Sequence, residues 1–266
     1  MIVAIGSLLR EANGIIRSHN YGPVHAPEDF IVQQPSSDEF PVIVLSGSGT
    51  ERAARATKWA IEKFEPDAII SFGFCSATKD HARSGDIVIA ARVVHLPGTP
   101  FEWSNTADTN SLGPDRTSLL AARTAVEVSG LDFHHGTLVT LTKPATTSGT
   151  KHWLGETVDA TAVDTEAHAV ASVASEVGVP WAAVASVLDD RDFETPKVVD
   201  RIGSGPNERG ITAYIKHVSK KPLDLPALMR LGRSSTRASA SLTTFMAAFM
   251  ETYAALTRIE QTTDPE

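Results

Sequence analysis

The chain has a single cysteine, Cys75, which excludes an intrachain disulfide framework and suits a reducing compartment. It has no apolar run approaching the ~20 residues that a bilayer-spanning helix requires. It has no basic, then apolar leader either: residues 2–6, Ile-Val-Ala-Ile-Gly, read directly as a buried strand. With a net charge of −8 there is no basic excess to favour nucleic acid as a partner. No internal repeat is visible. His134 and His135 lack further ligands at metal spacing, so no metal is expected. These absences predict a soluble, cytoplasmic protein. What is present is 266 residues, 42% of them hydrophobic, enough for a sizeable core. Strands alternate with helical patterns, which predicts one α/β domain over residues 1–266.

The most informative stretch is 163–192. Val163, Ala167, Val170, Ala171, Ala174 and Val177 recur at helical spacing. Gly178 sits where a helix C′ glycine belongs, and Pro180 prevents continuation. Residues 181–188 are nearly all apolar, as in a strand covered on both faces, and stop abruptly at Asp189, Asp190 and Asp192. Ligands of open α/β sheets bind beyond the carboxyl ends of strands. Glu166, in the first helical turn, is expected to be ionised, and so able to accept from paired hydroxyls. Asp189, crowded by its acidic neighbours and following a buried strand, is expected to hold a proton near neutral pH, since like-charge repulsion and desolvation both raise a carboxyl pKa. The plainer alternative makes Glu166 a solvated helix residue and Asp189 an N-cap.

Elsewhere the chain reads as follows. A helix over 8–17 carries Glu11, which fits either a surface or a pocket position. Residues 20–41 look irregular. A strand at 42–45 leads through Ser46-Gly47-Ser48-Gly49 into a helix over 50–64; the loop is either an anion cradle or a tight turn. A strand at 68–73 ends at Gly73, followed by Phe74-Cys75-Ser76-Ala77-Thr78, with Cys75 read as a buried filler. A strand over 87–94 precedes a long loop, 95–113, whose Phe101 and Trp103 belong either to a lid or to an anchor of the loop itself. A helix over 115–128 and a strand near 136–141 follow. Between 209 and 237 seven basic residues face one acid, Asp224, a local balance of +6. Residues 238–258 are helical, with Leu242, Phe245, Met246, Phe249, Met250 and Tyr253 on one face.

Taken together, these residues resemble the nucleoside phosphorylase and nucleosidase superfamily, particularly the methylthioadenosine/S-adenosylhomocysteine nucleosidases. The matching stretches are Ile5-Gly6 with Glu11, Ser46-Gly47-Ser48-Gly49, Pro66-Asp67 with Gly73, Ser84-Gly85-Asp86-Ile87-Val88, Ala162-Val163-Asp164-Thr165-Glu166-Ala167 and Val187-Leu188-Asp189. Asp224 to Ser235 and Leu188 to Phe193 are similar to a narrower branch, the hopanoid-associated phosphorylases or adenosylhopane nucleosidases. The chain departs from the superfamily in the bulk of 74–78 and in Thr165, where a methionine is usual. The resemblance implies a three-layer α-β-α fold with a central mixed sheet and an enzyme that cleaves an N-glycosidic bond and releases adenine. Asp189 would protonate the purine and Glu11 would activate water. Glu166, Thr165, Ser46, Gly47, Gly73, Ser76 and Phe101 would meet substrate. No cofactor is implied; inorganic phosphate would be co-substrate only in a phosphorylase. The substrate would be adenosylhopane or, alternatively, a small soluble nucleoside; a non-catalytic nucleoside-binding protein is a further alternative. The resemblance also implies a homodimer or larger homo-oligomer. A lipid-linked substrate would bring the basic 209–237 segment to the inner membrane face.

Overall fold

The computed structural model describes residues 1–27, 30–98, 102–103, 111–196 and 225–263. In chain order the elements are β1 Ile2–Gly6, α1 Leu9–Ser18, β2 Tyr21–Val24, β3 Ile31–Pro35, β4 Val42–Leu45, α2 Thr50–Phe64 and β5 Ala68–Ala77. They continue with β6 Ile87–Leu96, β7 Ser111–Leu112, α3 Arg116–Ser129, β8 Phe133–Leu141, α4 Ser148–Thr157, β9 Ala160–Asp164, α5 Ala167–Glu176 and β10 Trp181–Asp189. The long helix α6, Leu225–Thr263, comes last. This is an α/β fold built on a mixed sheet.

The sheet runs β10-β6-β8-β9-β5-β1-β4-β3-β2, and β10 also pairs with β5. That extra pairing closes five strands into a ring, so half of the sheet is a small barrel and half an open extension. Strand β5 is the hinge of this arrangement. It pairs with β1 from Ala68 to Ser71, with β10 from Ile69 to Ser76, and with β9 at Ser76 and Ala77. Strands β1 and β4 are buried at every position, which explains their unbroken apolar sequences. Helix α6 lays Leu242, Phe245, Met246, Phe249, Met250 and Tyr253 against the sheet and helices α1 and α3. Each such side chain, fully buried, is worth about 1.5–3 kcal/mol.

Several expectations need correction. Residues 20–41 are not wholly irregular: they hold the edge hairpin β2–β3. Pro23 is tolerated because β2 is the edge strand, and Pro35 because it ends β3 beyond the residues that pair with β4. Val163 belongs to strand β9, not to the following helix, which starts only at Ala167. The helical spacing was coincidental there, because a strand buried on both sides is apolar at every position. Helix α4 went unread, since only Trp153 and Leu154 mark an apolar face in it. Trp103 is buried against Trp153, with ring centroids 5.6 Å apart, which favours the anchor over the lid for that part of the loop.

Candidate active site

Glu11 sits in the first turn of α1, just past the carboxyl end of β1, and is 3% exposed. It is therefore not a surface residue. Its carboxylate accepts from Ser7 N at 2.8 Å, Leu8 N at 2.8 Å, Phe74 N at 3.2 Å and the Ser7 hydroxyl at 3.1 Å. All of these donors are uncharged. Burial outweighs them and, with the nearby Glu166 carboxylate, pushes the Glu11 pKa up from 4.5 to about 7. Gly73 makes this packing possible: a Cβ there would lie 3.2 Å from Glu11 Oε1.

Glu166 is the N-cap residue of α5, but its side chain does not cap the helix. Asp164 does so instead, accepting from Ala167 N at 2.8 Å and from the Thr140 hydroxyl at 2.6 Å. The Glu166 carboxylate is thereby released to turn toward the loop after β4. Its Oε1 accepts from Gly49 N at 2.7 Å and from the Thr165 hydroxyl at 2.6 Å. The helix end was expected to keep Glu166 ionised; burial instead raises its pKa, against the pull of those two donors. Burial and the Glu166 charge together raise Asp164 as well.

Asp189 ends β10 and is 6% exposed. The register between β10 and β5 slips between Val187 and Asp189, and this bulge sets Asp189 opposite Ser76. Asp189 Oδ1 accepts from the Ser76 hydroxyl at 2.8 Å, and Oδ2 is paired with Lys151 Nζ. Asp189 is not an N-cap: the chain turns after it, with Phe193 N bonded to Asp190 O at 3.0 Å. The pKa of Asp189 is raised, as expected; of the two expected causes burial is the main one and Asp190 adds only a minor push, while Lys151 opposes the shift. Asp192 does not crowd it, since its carboxylate faces His152 at 2.7 Å. Lys151 is the residue that sequence reasoning missed. It lies on α4, whose start is signalled by Thr147 accepting from Thr150 N. Nothing in the sequence marks its side chain as buried, because lysines are almost always solvated.

Glu11 and Asp189 are thus both tied to strand β5, one through Phe74 N and the other through the Ser76 hydroxyl. Two residues of strand span roughly 6.6 Å. Thr165 supports Glu166, and Gly73 supports Glu11. Ser46 and Gly47 do not offer what was expected. Ser46 is fully buried with its hydroxyl 2.7 Å from Gly47 O, and its N–H donates to Gly6 O. Gly47 N donates to Ser7 O, and Gly49 N to Glu166. The loop binds its own protein rather than forming an open anion cradle. Phe101 lies outside the described residues.

Cys75 is buried, and burial with nearby Asp164, Asp189 and Asp86 raises its thiol pKa well above the ordinary value, which suits a filler rather than a nucleophile. His134 faces Asp86 at 2.8 Å. Among the described residues no cluster of three metal-ligating side chains forms, and no helix is long and apolar enough to cross a membrane. A cavity of about 230 Å³ lies between Asp189, Asp190 and Phe193 on one side and Arg230, Arg233 and Arg237 on the other. Arg230 pairs with Asp190 at 2.5 Å and covers the Phe193 ring at 5.1 Å. Leu228 and Leu231 pack inward, whereas Leu225 and Met229 are exposed. Residues 209–224 of the basic segment, with Arg209, Lys216, Lys220, Lys221 and Asp224, lie outside the described residues.

Known proteins resemble this chain in sequence and in fold. A 5′-methylthioadenosine/S-adenosylhomocysteine nucleosidase from Shewanella loihica is 29% identical over 178 residues, 63% of this chain and 76% of that protein. One from Shewanella sediminis is 30% identical over 165 residues, 58% of this chain and 70% of that protein. The fold is shared with the Neisseria meningitidis nucleosidase solved with methylthio-immucillin-A: TM-score 0.71, 20% identity, 93% of this chain and 97% of that one. It is shared too with futalosine hydrolase of Helicobacter pylori: TM-score 0.68, 14% identity, 92% and 96% covered. The sequence model described as the phosphorylase superfamily matches residues 2–208, and the chain belongs to that superfamily.

Proposed function

We propose that this protein hydrolyses the N-glycosidic bond of an adenosyl nucleoside and releases adenine. The observation that carries this reading is the gathering of three carboxylates: buried Glu11 and Asp189 on the Phe74–Ser76 stretch of β5, and half-buried Glu166, whose charge acts on Glu11, on Gly49 of the loop after β4. Breaking a purine–ribose bond builds positive charge on the sugar and negative charge on the base. Asp189 delivers a proton to purine N7, so the base leaves neutral. Glu166, held from one side by Gly49 and Thr165, receives the ribose hydroxyls and stabilises the cationic sugar. Glu11, whose pKa near 7 suits a base at neutral pH, takes a proton from the water that attacks C1′. Water is favoured over phosphate because the Ser46, Gly47 and Gly49 N–H groups are already committed within the protein.

The 5′ group of the substrate is apolar and large in this proposal, as in adenosylhopane. Exposed Leu225 and Met229 beside Arg230 and Arg233 at the start of α6 suit a bulky apolar tail and an anionic membrane surface. The names of the relatives favour 5′-methylthioadenosine and S-adenosylhomocysteine as a second reading. Adenine release from nucleosides with 5′ substituents of increasing length, measured with and without phosphate, tests both. The proposal expects phosphate to change nothing and turnover to favour the long apolar substituents. Strict dependence on phosphate would contradict hydrolysis, and a preference for the methylthio group would replace the lipid substrate. Flotation on anionic vesicles, lost at high salt, is the expected sign of membrane contact.

A further inference from the structure

Lys151 is fully buried, and its ammonium group meets three acceptors: Asp189 Oδ2, Phe193 O at 2.7 Å and Asp190 O at 3.2 Å. An ammonium has three N–H donors, so each one is satisfied. Asp189 is equally occupied, by Lys151 on one oxygen and by the Ser76 hydroxyl on the other. As an ion pair, however, Asp189 carries no proton to give. A dry lysine beside a general acid is costly to retain, since desolvation of such pairs often cancels their attraction. The arrangement makes sense if a proton can pass between the two groups along this short contact.

We propose that the proton transferred to the leaving purine is stored on Lys151 and passed through Asp189. This rests on the nucleosidase reading above, and makes Lys151 a positioning and proton-supplying residue that does not itself touch the base. The step balances. As the C1′–N9 bond breaks and its electron pair moves into the purine, an Nζ–H bond breaks and an O–H bond forms on Asp189. That O–H bond then breaks as N7–H forms. Lys151 is left as a neutral amine and Asp189 as a carboxylate. The attacking water gives its proton to Glu11, and solvent exchange between turnovers returns one proton to Lys151 and removes one from Glu11. The neutral amine keeps two N–H donors, enough for Phe193 O and the Asp189 carboxylate, so only the longer bond to Asp190 O is given up. Burial, which raises the Asp189 pKa, favours the proton's passage through that carboxyl.

The test compares leaving groups. Adenine, from 5′-methylthioadenosine, needs a proton; 4-nitrophenolate, from 4-nitrophenyl β-D-ribofuranoside, leaves without one. Lys151→Met should lower kcat for adenine release by about 10²-fold or more, with KM nearly unchanged. It should leave nitrophenolate release within a few-fold of the parent. Equal loss on both substrates by a variant with native circular dichroism, or undiminished adenine release, would overturn the proposal. Should Lys151→Met fail to fold, Lys151→Arg decides, because a guanidinium keeps the charge but does not give up its proton. Adenine release by Lys151→Arg should fall by a similar factor while nitrophenolate release persists; full adenine turnover would overturn the relay. A parent inert toward both substrates would overturn the functional reading and the relay with it.

Discussion

The two ends of the site are built from the same kind of residue and behave in opposite ways. At the sugar end, Glu11 and Glu166 are held by uncharged donors, the N–H groups of Ser7, Leu8, Phe74 and Gly49 and the hydroxyls of Ser7 and Thr165. Those carboxylates, with Asp164, repel one another and await a positive charge. At the base end, Asp189 is paired with a buried cation, Lys151, and has a proton within reach. The difference mirrors the reaction: one end is prepared for charge the substrate will gain, the other supplies what the leaving group needs. Preorganised charge of this kind costs stability before the ligand arrives and repays it in the transition state.

The largest break in that comparison is Asp189→Asn. It should cut adenine release by roughly 10²–10⁴-fold, the usual worth of a general acid. Circular dichroism should stay near the parent's while the melting temperature falls, because buried Lys151 loses its counter-charge; activity within a few-fold would remove Asp189 from its role. Glu166→Gln comes next. The carboxylate matters most once the sugar is cationic, so kcat and kcat/KM should fall together by about 10²-fold, whereas a rise in KM alone would mark a residue that only binds. Thr165→Val removes one donor to Glu166 at nearly constant volume. A hydrogen bond to a charged group is worth about 1.5–3 kcal/mol, so turnover should drop by roughly tenfold or somewhat more. An unchanged rate would mean that the Thr165 hydroxyl does not hold the carboxylate during reaction.

A last effect, on stability rather than turnover, sharpens the comparison without any substrate. Glu11 has a folded-state pKa of about 7 against an ordinary 4.5, so between those values the folded chain binds a proton that the unfolded chain has lost. Its burial therefore costs nothing well below pH 4.5, and the cost grows to about 3 kcal/mol as the pH passes 7. Melting temperature in a pH series should show Glu11→Gln gaining on the parent from pH 5 to about 7 and levelling off above that. A constant difference between the two would contradict the raised pKa.

How much of this was legible in the sequence follows from the kind of signal each residue leaves. The buried parallel strands announced themselves by unbroken apolar runs, and acids just beyond their ends, Glu11 and Asp189, stood out against that background. Strand β9 and helix α5 were blurred into one helix because Val163 and Ala167 satisfy both periods. The Gly-Ser-Gly loop after β4 had the composition of an anion cradle. Which partner its N–H groups take is a tertiary fact, and they took Gly6, Ser7 and Glu166. Lys151 left no trace, since its role depends on a buried acid 38 residues away and on a strand bulge that aims that acid.

The central claim is that the Glu11–Glu166 end is complementary to a cationic sugar. The most direct measurement is the affinity of a nucleoside analogue whose ribose is replaced by a protonated iminoribitol, set against the same molecule with an uncharged ring. The parent should bind the cation at least ~10²-fold more tightly, in the range of transition-state mimics, and Glu166→Gln should lose most of that advantage. Equal affinity for the charged and uncharged rings in the parent would contradict the account.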